Sequence, residues 1–551
     1  MRFSKKTSTI LSMISIVIAI ITVALSIYTT RILKQRIKYL TVQSVGAGDK
    51  LSAVLRVLKN SYVDTLSMDS ISEKFIPKIL ADLDPHSVYI PKREFAKVNE
   101  QMDGEFDGIG ITFNMITDTV IVMSVIPGGP SDQAGLMQGD RIITIDGVNV
   151  AGVKADQEEM VNKLRGKRDS KVVLGIERPH LTQPLNITVT RGVIPITSVD
   201  CAFRLDDVAY IRLSQFSKNA HSEFLKAYIE LSQEDKIVPI RHLIFDLRNN
   251  TGGRLDQAIY IANEFFGSES LIVYTEGAHF PKSEQFSNGR GRLKEVNVKV
   301  LINEHSASAS EIVAGALQDN DRGTIIGRRS FGKGLVQQQM PFRDGSALRL
   351  TIARYYTPLG RSIQKPYDKG VEEYNKDLYN RYMHSEMLSA DSIHLNDSTK
   401  YITPKGKVLY GGGGIMPDIF VPADTLSGVS TKLIYYTNAL LRFSVKYAAQ
   451  YRDELNELKT FEQLENYFNK KDAIIEQKFW EFIATTIPQI KPTAKEKRDN
   501  RENLKYELRA VIGRNTPLDE KAFVYLYRPM DKPFITAIES IKTDSQNISS
   551  N

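Results

Sequence analysis

The hydrophobic pattern begins with an uninterrupted apolar run near the N-terminus. Residues 7–30 carry no charged side chain, and residues 10–28 (ILSMISIVIAIITVALSIY) are mostly Ile, Val, Leu, Ala and Met. A helix of that length spans about 30 Å, which matches the hydrocarbon core of a bilayer. The run therefore predicts a membrane helix. Its extreme N-terminal position argues against the alternative, a buried core helix.

Two long stretches repeat apolar residues at the 3.6-residue period of a helix. Residues 43–100 do so on a face that carries Leu51, Val54, Leu55 and Leu58. Residues 424–551, which are rich in charge, do so on a face that carries Phe461, Leu464, Tyr467 and Phe468. Both stretches are therefore expected to be helical.

The stretch between them has two further patterns. Residues 105–191 contain short β-rich runs joined by Gly-Pro turns, with one helix near residues 157–164; the runs are 107–113, 120–125, 141–146 and 172–177. Residues 195–366 alternate strands with helices, which is typical of an α/β domain. The expected strands there are 208–214, 242–247, 298–303 and 324–327, and the expected helices are 219–231, 255–265 and 309–318.

Length, composition and charge narrow the class of protein. The 551 residues are 42% hydrophobic, so we expect more than one globular domain, and the single cysteine, Cys201, excludes an intrachain disulfide. The net charge of +7 is concentrated in residues 1–48, which hold no acid and seven basic residues: Arg2, Lys5, Lys6, Arg31, Lys34, Arg36 and Lys38. The basic charge thus marks a membrane boundary and argues against a nucleic-acid-binding domain.

The basic groups lie on both sides of the apolar run, so they leave its orientation undetermined. Ala24-Leu25-Ser26 is a poor cleavage site, and no cysteine follows it for lipid attachment. We therefore expect an uncleaved signal anchor rather than a cleaved signal peptide.

Candidate chemistry lies at residues 305–338 (HSASASEIVAGALQDNDRGTIIGRRSFGKGLVQQ). Ser308 follows an expected strand and begins an expected helix, where unpaired backbone N–H groups can stabilise an oxyanion. A serine hydroxyl needs a base to become a nucleophile. His305 is a candidate, but it would have to fold back on its own segment. Lys333 is favoured, provided that burial lowers its pKa towards about 7 to 8.

The combination SASASEI, a Gln-Asp pair and FGKGxVQ resembles the carboxy-terminal processing proteases, also called tail-specific serine proteases. The resemblance implies that Ser308 is the nucleophile, Lys333 the general base and Gln337 its supporting residue. It also implies a crotonase-like α/β core. The segments LTIARYYTPLGRSIQ (residues 350–364) and GGIMPDIFVP (residues 413–422) complete the family pattern.

The loop RNNTGGR after the expected strand 242–247 offers exposed amides. By the same resemblance, the oxyanion hole falls on the amides of Gly253, with Gly252 as the near alternative, and Ala309. The family usually has proline where Thr251 stands, a departure that removes no essential side chain. We read Asp246 and Arg248 as an ion pair that braces the loop rather than as an acid and a base.

Residues 127–147 (PGGPSDQAGLMQGDRIITIDG), together with GIGITF before them, resemble a PDZ domain of the bacterial-protease type. The implied peptide site has amides at Gly108, Ile109 and Gly110 for a terminal carboxylate. An apolar pocket is expected near Ile111 and the helix that carries Val161 and Leu164. The bound peptide would add a strand to the sheet.

Upstream, residues 83–91 (LDPHSVYIP) contain a DPHSxY segment of the kind found in the N-terminal region of the resembled family. Asp84-Pro85 is a turn signal. A metal site at His86 is disfavoured because no second histidine stands at ligand spacing.

The expected architecture is multidomain α/β. Its segments are a membrane anchor with basic flanks at 1–40, a helical region at 41–104, a PDZ domain at 105–191, a serine protease core at 192–423 and a helical region of unknown role at 424–551. The expected function is that of a membrane-anchored serine endopeptidase with a Ser–Lys dyad. The resemblance places it in the cell inner membrane as a single-pass protein, with its catalytic part in the periplasm.

The expected partners are protein or peptide substrates with free C-termini, and the membrane through the N-terminal helix; nucleic acid is not expected. No metal or cofactor is implied. A homo-oligomer or a regulatory partner stays open. Two alternatives also stay open: an inactive scaffold that binds peptides through its PDZ domain, and an enzyme in which a histidine, such as His305, replaces Lys333 as the base.

Overall fold

The computed structural model describes residues 13, 16–33, 49–115, 119–154, 156–178, 181–393, 399–424, 434–435 and 437–549. The chain divides into two compact units, Met1–Ile79 and Leu80–Asn551. Most of the basic residues expected to flank the membrane helix lie outside the described residues: Arg2, Lys5, Lys6, Lys34, Arg36 and Lys38.

The first unit is helical, as predicted. Helix α1 (Ile16–Leu33) has a mean hydropathy of 2.1 and no buried residue, and it is long and apolar enough to cross a membrane by length and composition. Helix α2 (Lys50–Ser61) follows, and α3 (Met68–Ala81) begins in this unit.

The second unit begins with strand β1 (Val88–Ile90) and helix α4 (Lys92–Asp103). The β-rich region then contains β2 (Glu105–Gly108), β3 (Ile111–Asn114), β4 (Val120–Val125), α5 (Pro130–Gln133), β5 (Arg141–Ile145), β6 (Val148–Asn149), α6 (Gln157–Leu164), β7 (Lys171–Glu177), β8 (Leu185–Thr190) and β9 (Gly192–Pro195). The expected run 107–113 divides in two, because Gly110 has a φ of +76° and turns the chain. The first half, β2, pairs with β9, whereas β3 is an edge strand in the order β3-β4-β5-β7-β8.

A six-stranded sheet forms the centre of the unit, in the order β10 (Val199–Leu205), β11 (Val208–Leu213), β12 (His242–Asp246), β15 (Asn297–Ile302), β16 (Gly323–Gly327) and β21 (Ile419–Phe420). Only β10 runs antiparallel to its neighbour, and β11 to β21 are parallel. Helices α7 (Ala220–Glu234), α8 (Leu255–Asn263) and α9 (Ala309–Asp319) share one apolar core with these strands. The loops after β12 and β15 leave the same edge of the sheet, which is where parallel sheets place their sites.

A second sheet has the order β1, β18 (Ala347–Tyr356), β13 (Ser268–Gly277) and β14 (Phe280–Asn288), and β17 (Leu335–Pro341) also pairs with β18. Strand β17 starts two residues after Lys333, so this sheet carries the FGKG segment to the edge of the central sheet. Helix α10 (Val371–Met383) and the short strands β19 (Tyr401–Ile402) and β20 (Val408–Leu409) follow.

The C-terminal region is helical, as predicted. It contains α11 (Ala439–Gln450), α12 (Arg452–Asn456), α13 (Phe461–Thr486), α14 (Ala494–Asp499), α15 (Arg501–Gly513), α16 (Asp519–Tyr527) and α17 (Lys532–Ser549). Most of these helices surround their own apolar core. Helices α16 and α17 also cover the second face of the central sheet, which the sequence did not predict; there Val524, Phe534 and Ile541 pack with Phe203 and Tyr210.

Candidate active site

Ser308 lies in the turn between β15 and α9, at the carboxyl edge of the parallel strands. Its backbone has a φ of +56° and a ψ of −113°, a combination that L-residues rarely adopt. The surrounding turn holds it in place, since the Ala307 N–H donates to the Asn250 carbonyl oxygen at 3.0 Å and the Ser310 hydroxyl to the same oxygen at 2.8 Å. Ser308 is half-buried, so its hydroxyl stands at a rigid, accessible corner.

Glu311 joins this corner to the FGKG loop. Its fully buried carboxylate accepts hydrogen bonds from the N–H groups of Ser308 (2.8 Å), Gly332 (2.7 Å) and Lys333 (2.9 Å) and from the Ser330 hydroxyl (2.5 Å). Burial raises the pKa of Glu311 to about 6, and these four donors oppose that rise. The sequence analysis missed this residue. The S-x-x-E spacing of Ser308 and Glu311 at a helix start is a capping-box signal that could have found it.

Lys333 is held against the same corner. Burial lowers the pKa of its ammonium group from 10.5 to about 8, and the positive charge of Arg349 adds to the effect. Its Nζ donates to Gln337 Oε1 at 3.1 Å, which is the contact expected of the supporting glutamine. The Tyr355 hydroxyl lies within hydrogen-bond distance of the carbonyl oxygens of both Ser308 and Lys333, so the two backbone segments are close.

The Ser308 hydroxyl and Lys333 Nζ do not hydrogen-bond to each other within the described residues; Nζ donates to Gln337 instead. The His305 ring likewise makes no hydrogen bond to the serine hydroxyl among the described residues. Its ring is half exposed, and its Nε2 lies 4.0 Å from a carboxylate oxygen of Glu304.

The turn at residues 84–87 reaches this site from the start of the second unit, which the sequence did not predict. Asp84 accepts from the N–H groups of His86 and Ser87 at 2.8 and 2.9 Å, which confirms the expected turn. The His86 carbonyl oxygen accepts from Gln337 Nε2 at 2.7 Å, and this fixes the amide so that its oxygen faces Lys333. Burial lowers the pKa of the His86 ring to about 4, so the ring is neutral where it meets the Tyr374 hydroxyl at 2.8 Å.

The glycine loop after β12 lies directly against Ser308. A Cβ added to Gly252 would come within 2.8 Å of Ser308 Cβ and 3.0 Å of the Ala309 nitrogen, so only glycine fits there. The Gly252 N–H is occupied, since it donates to Asn250 Oδ1 at 2.9 Å. In contrast, the N–H groups of Gly253 and Ala309 donate to no acceptor within the described part of the chain. Among the two glycines, Gly253 therefore has the amide that is available to an oxyanion.

Asp246 and Arg248 form the ion pair expected to brace this loop. Arg248 Nε lies 2.9 and 3.0 Å from the two carboxylate oxygens of Asp246, and the charge of Arg248 holds the pKa of the buried Asp246 below its usual value. The Tyr210 hydroxyl also donates to Asp246, at 2.6 Å. Both charged groups are thus committed to structural contacts.

The residues expected to bind a peptide tail lie around the edge strand β3. Gly108 ends β2, Ile109 is buried in the core of the β-rich region, and the N–H groups of Ile109 and Gly110 donate to no acceptor among the described residues. Ile111 begins β3 and is half-buried. On α6, Val161 is half-buried and Leu164 belongs to the core.

Comparison with protein families finds two matches that agree with this organisation. Residues 207–373 match the model for peptidase family S41, and residues 108–189 match that for PDZ domains. Residues 431–516 match a family of unknown function, DUF8443.

Similar proteins include a probable CtpA-like serine protease of Staphylococcus haemolyticus, which is 31% identical over 388 residues that cover 70% of this chain and 76% of that protein. A carboxy-terminal-processing protease of Bartonella bacilliformis is 38% identical over 309 residues, which cover 56% of this chain and 70% of that protein. Among solved structures, a photosystem II D1 C-terminal processing protease is 24% identical, with coverage of 72% of this chain and 97% of that chain and a TM-score of 0.34.

Proposed function

Because the chain belongs to the carboxy-terminal processing proteases of peptidase family S41, we propose that it is a serine endopeptidase in which Ser308 is the nucleophile and Lys333 the general base. The observation that carries this assignment is the bridge through Glu311, which binds the N–H groups of both residues. A lysine whose pKa lies near 8 has a sizeable neutral fraction at physiological pH, as a base requires.

The proposed reaction starts with neutral Lys333 Nζ accepting the Ser308 proton while Oγ bonds to the substrate carbonyl carbon. The negative charge that develops on the carbonyl oxygen meets the N–H groups of Gly253 and Ala309. As the C–N bond breaks, protonated Lys333 returns its proton to the departing amine. A water molecule, deprotonated by Lys333, then bonds to the acyl carbon; the ester C–O bond breaks, and Ser308 Oγ takes the proton back from Lys333.

Before the first step, Lys333 Nζ must turn from Gln337 towards Ser308. Catalytic hydrogen bonds often tighten only when substrate is bound, so the open contact is compatible with the proposal. The His86 carbonyl oxygen anchors Gln337, whose side chain would keep the Lys333 amine close to both Gln337 Oε1 and Ser308 Oγ.

We further propose that the PDZ domain recognises the substrate's C-terminal tail. Strand β3 has a free edge to which a peptide can add as a strand, and the free N–H groups of Ile109 and Gly110 suit a terminal carboxylate. An apolar last residue would enter between Ile111 and the α6 face that carries Val161, with Leu164 at the base of the pocket.

The test compares cleavage of an unfolded protein by the detergent-solubilised full chain and its variants. Ser308→Ala and Lys333→Ala should each abolish cleavage, and Lys333→Arg should also be inactive, because a guanidinium stays protonated. His305→Ala is the matched control and should keep most of the activity. Activity lost in His305→Ala but kept in Lys333→Ala would favour the histidine alternative. A parent protein that binds tails but never cuts them would favour the inactive scaffold.

We also propose that α1 anchors the protein as a single-pass helix in the inner membrane with its catalytic part in the periplasm. The protein should then sediment with membranes and stay there in high salt or alkali, because charge screening does not release a helix held by hydrophobic burial. Protease added to spheroplasts should digest the chain beyond residue 40. Digestion only after lysis would instead place the catalytic part in the cytoplasm.

A further inference from the structure

Asp531, at the start of the last helix, forms a two-pronged ion pair with Arg248. Arg248 Nη1 and Nη2 donate to the two carboxylate oxygens of Asp531 at 2.8 and 2.7 Å. Side-chain exposure is 20% for Arg248 and 12% for Asp531, so water screens the pair only weakly. This contact joins the C-terminal helical region, to which the sequence assigned no role, to the glycine loop.

Arg248 is the second residue after the end of β12 at Asp246, and the loop that follows it contains Gly253. Further along, the loop is bonded to Leu213 and Phe216 on one side and to the nucleophile turn and its flanks on the other. The Asn249 N–H donates to Asn303 Oδ1 at 2.9 Å, and the Asn250 carbonyl oxygen accepts from Ala307. A shift of Arg248 would therefore be passed to the loop that presents the Gly253 N–H beside Ser308.

One side of the Arg248 guanidinium faces a cavity, so packed side chains do not hold it there. The cavity has a volume of about 540 Å³, and its lining includes Arg248, Asn249, Asn303, Asp531 and Pro533. The guanidinium thus has room to move, and its carboxylate partners fix its position. Without Asp531, Asp246 would be the one side chain among the described residues still bonded to the guanidinium.

We propose that Asp531 is a positioning residue for the oxyanion hole, which acts through Arg248 to aim the Gly253 amide at the reacting carbonyl oxygen. This inference rests on the proposed function. It gives the C-terminal region a part in catalysis, because the region supplies the second carboxylate that holds Arg248 at the start of the glycine loop. The loss of a well-placed oxyanion donor slows enzymes by about 100- to 1,000-fold, so a displaced one should cost about tenfold in kcat.

The substitution Asp531→Asn removes the charge and keeps the other role of the side chain. Asp531 Oδ1 also accepts from the Phe534 N–H at 3.3 Å and so caps α17, and asparagine and serine are equally good at such a position. Asp531→Ser, which is too short to reach Arg248, is the second variant. Either substitution should leave the helix start intact.

Asp544, on the same helix, provides the matched control. It accepts from Lys299 Nζ at 2.6 Å and from Asn297 Nδ2 at 3.2 Å. Asn297 and Lys299 lie at the beginning of β15, at the end of the sheet opposite to Ser308. Asp544→Asn therefore breaks an ion pair between the same helix and the same sheet without touching the glycine loop.

The experiment measures kcat and KM of the solubilised full chain on a fluorogenic peptide with a free apolar C-terminus. It also measures inhibition by a peptide aldehyde, which forms an oxyanion on Ser308, and by the matching peptide alcohol, which does not. Both Asp531 variants should lose about tenfold in kcat at nearly constant KM. They should also bind the peptide aldehyde about tenfold more weakly, while their affinity for the peptide alcohol stays the same. Asp544→Asn should have the same kcat, KM and affinities for the aldehyde and the alcohol as the parent, even if its melting temperature is lower.

Equal kinetics for the Asp531 and Asp544 variants, or equal losses of aldehyde and alcohol affinity, would overturn the positioning role. Ser308→Ala separates this failure from a failure of the proposed function. If Ser308→Ala cuts the peptide as the parent does, the serine protease assignment is wrong. If it is inactive while Asp531→Asn and Asp531→Ser behave as the parent, only the role of Asp531 is wrong.

Discussion

Lys333 shows how much of the candidate site depends on the placement of single charges. Burial alone would favour its neutral form, and the positive charge of Arg349 acts in the same direction, while the negative charges of Glu311 and Asp84 oppose both. The resulting pKa of about 8 is a balance that neighbours can shift either way. Such a balance predicts how activity depends on pH.

The rate should rise with pH through a midpoint near 8, since only neutral Lys333 can accept the serine proton. Roughly one tenth of the molecules are competent at pH 7. Arg349→Gln should move the midpoint upwards, because loss of a nearby positive charge makes protonated Lys333 easier to form. Arg354→Gln, on the same strand but bonded to the Tyr367 hydroxyl, should leave it unchanged. The measurement is kcat/KM of each variant from about pH 6 to 10.

A midpoint near 6.5, the value of an ordinary histidine, would contradict the assignment of Lys333 as the base. Equal shifts of the pH midpoint in Arg349→Gln and Arg354→Gln would also contradict this assignment. Both arginines lie on β18, so their comparison separates the charge near Lys333 from a general change in the strand.

At the level of residues, the sequence predicted the groups that carry a local motif. Ser308, Lys333 and Gln337 stand in such motifs, and the structure brings Gln337 Oε1 to Lys333 Nζ. The sequence could not predict that the His86 carbonyl oxygen accepts a hydrogen bond from Gln337, because the two residues are 251 positions apart and nothing in DPHS indicates a partner. Asp531 is a similar case, since its partner Arg248 lies 283 positions away.

At the level of elements, the hydrophobic period predicted the strands and helices around the site well. The helix expected at 157–164 coincides with α6, and those at 219–231 and 309–318 differ from α7 and α9 by a few residues at the ends. The prediction of one continuous strand at residues 107–113 was wrong, because the apolar content of a β-rich run does not reveal a turn inside it. Gly110, with its positive φ, makes that turn and creates the candidate carboxylate loop.

Gly110→Ala should therefore weaken the preference for free C-termini. The position has a φ of +76°, which alanine rarely adopts, and a Cβ would lie 3.0 Å from Ile194 Cδ1, so either the Ile194 side chain or the loop would have to give by a few tenths of an ångström. Gly147→Ala is the control, since Gly147 has a φ of +78° with no atom within 4 Å of the added Cβ. Both variants cost about 1–2 kcal/mol in backbone strain, but only the first also crowds a side chain beside the loop. The measurement is the ratio of cleavage rates for a peptide with a free C-terminus and its amidated form.

The parent should cut the free form several-fold faster, Gly147→Ala should keep that ratio, and the ratio should approach one in Gly110→Ala. A parent that cuts both forms equally would mean that the PDZ segment does not read the tail carboxylate. An unchanged ratio in Gly110→Ala would place the carboxylate site elsewhere.

At the level of the whole molecule, the C-terminal helical region contacts both the sheet and the PDZ domain. The Asp519 carboxylate lies near Ser124 on β4, and the Arg452 guanidinium packs so closely on Gly139 that a Cβ there would lie 2.1 Å from Nη2. The sequence could not predict this arrangement. Its amphipathic helices indicate a buried face but not the surface that covers it.

These contacts hold the PDZ domain in one position, which leads to a prediction about control. If the PDZ domain gates the site, a tail must bind it better in an open state than in the described one. Opening would separate Ser124 from the Asp519 carboxylate. Asp519→Asn should therefore raise basal cleavage of a substrate that has no recognised tail.

A short tail peptide added in trans should likewise stimulate cleavage of the tail-less substrate by the parent, and its amidated form should not. The measurement is the initial rate as the peptide is titrated, with the parent and Asp519→Asn side by side. Stimulation should be smaller in Asp519→Asn, since part of the population is already open. A PDZ domain that only tethers substrates would give a different result. The peptide would then leave the tail-less substrate unaffected and would only compete with substrates that carry a tail, equally in both proteins.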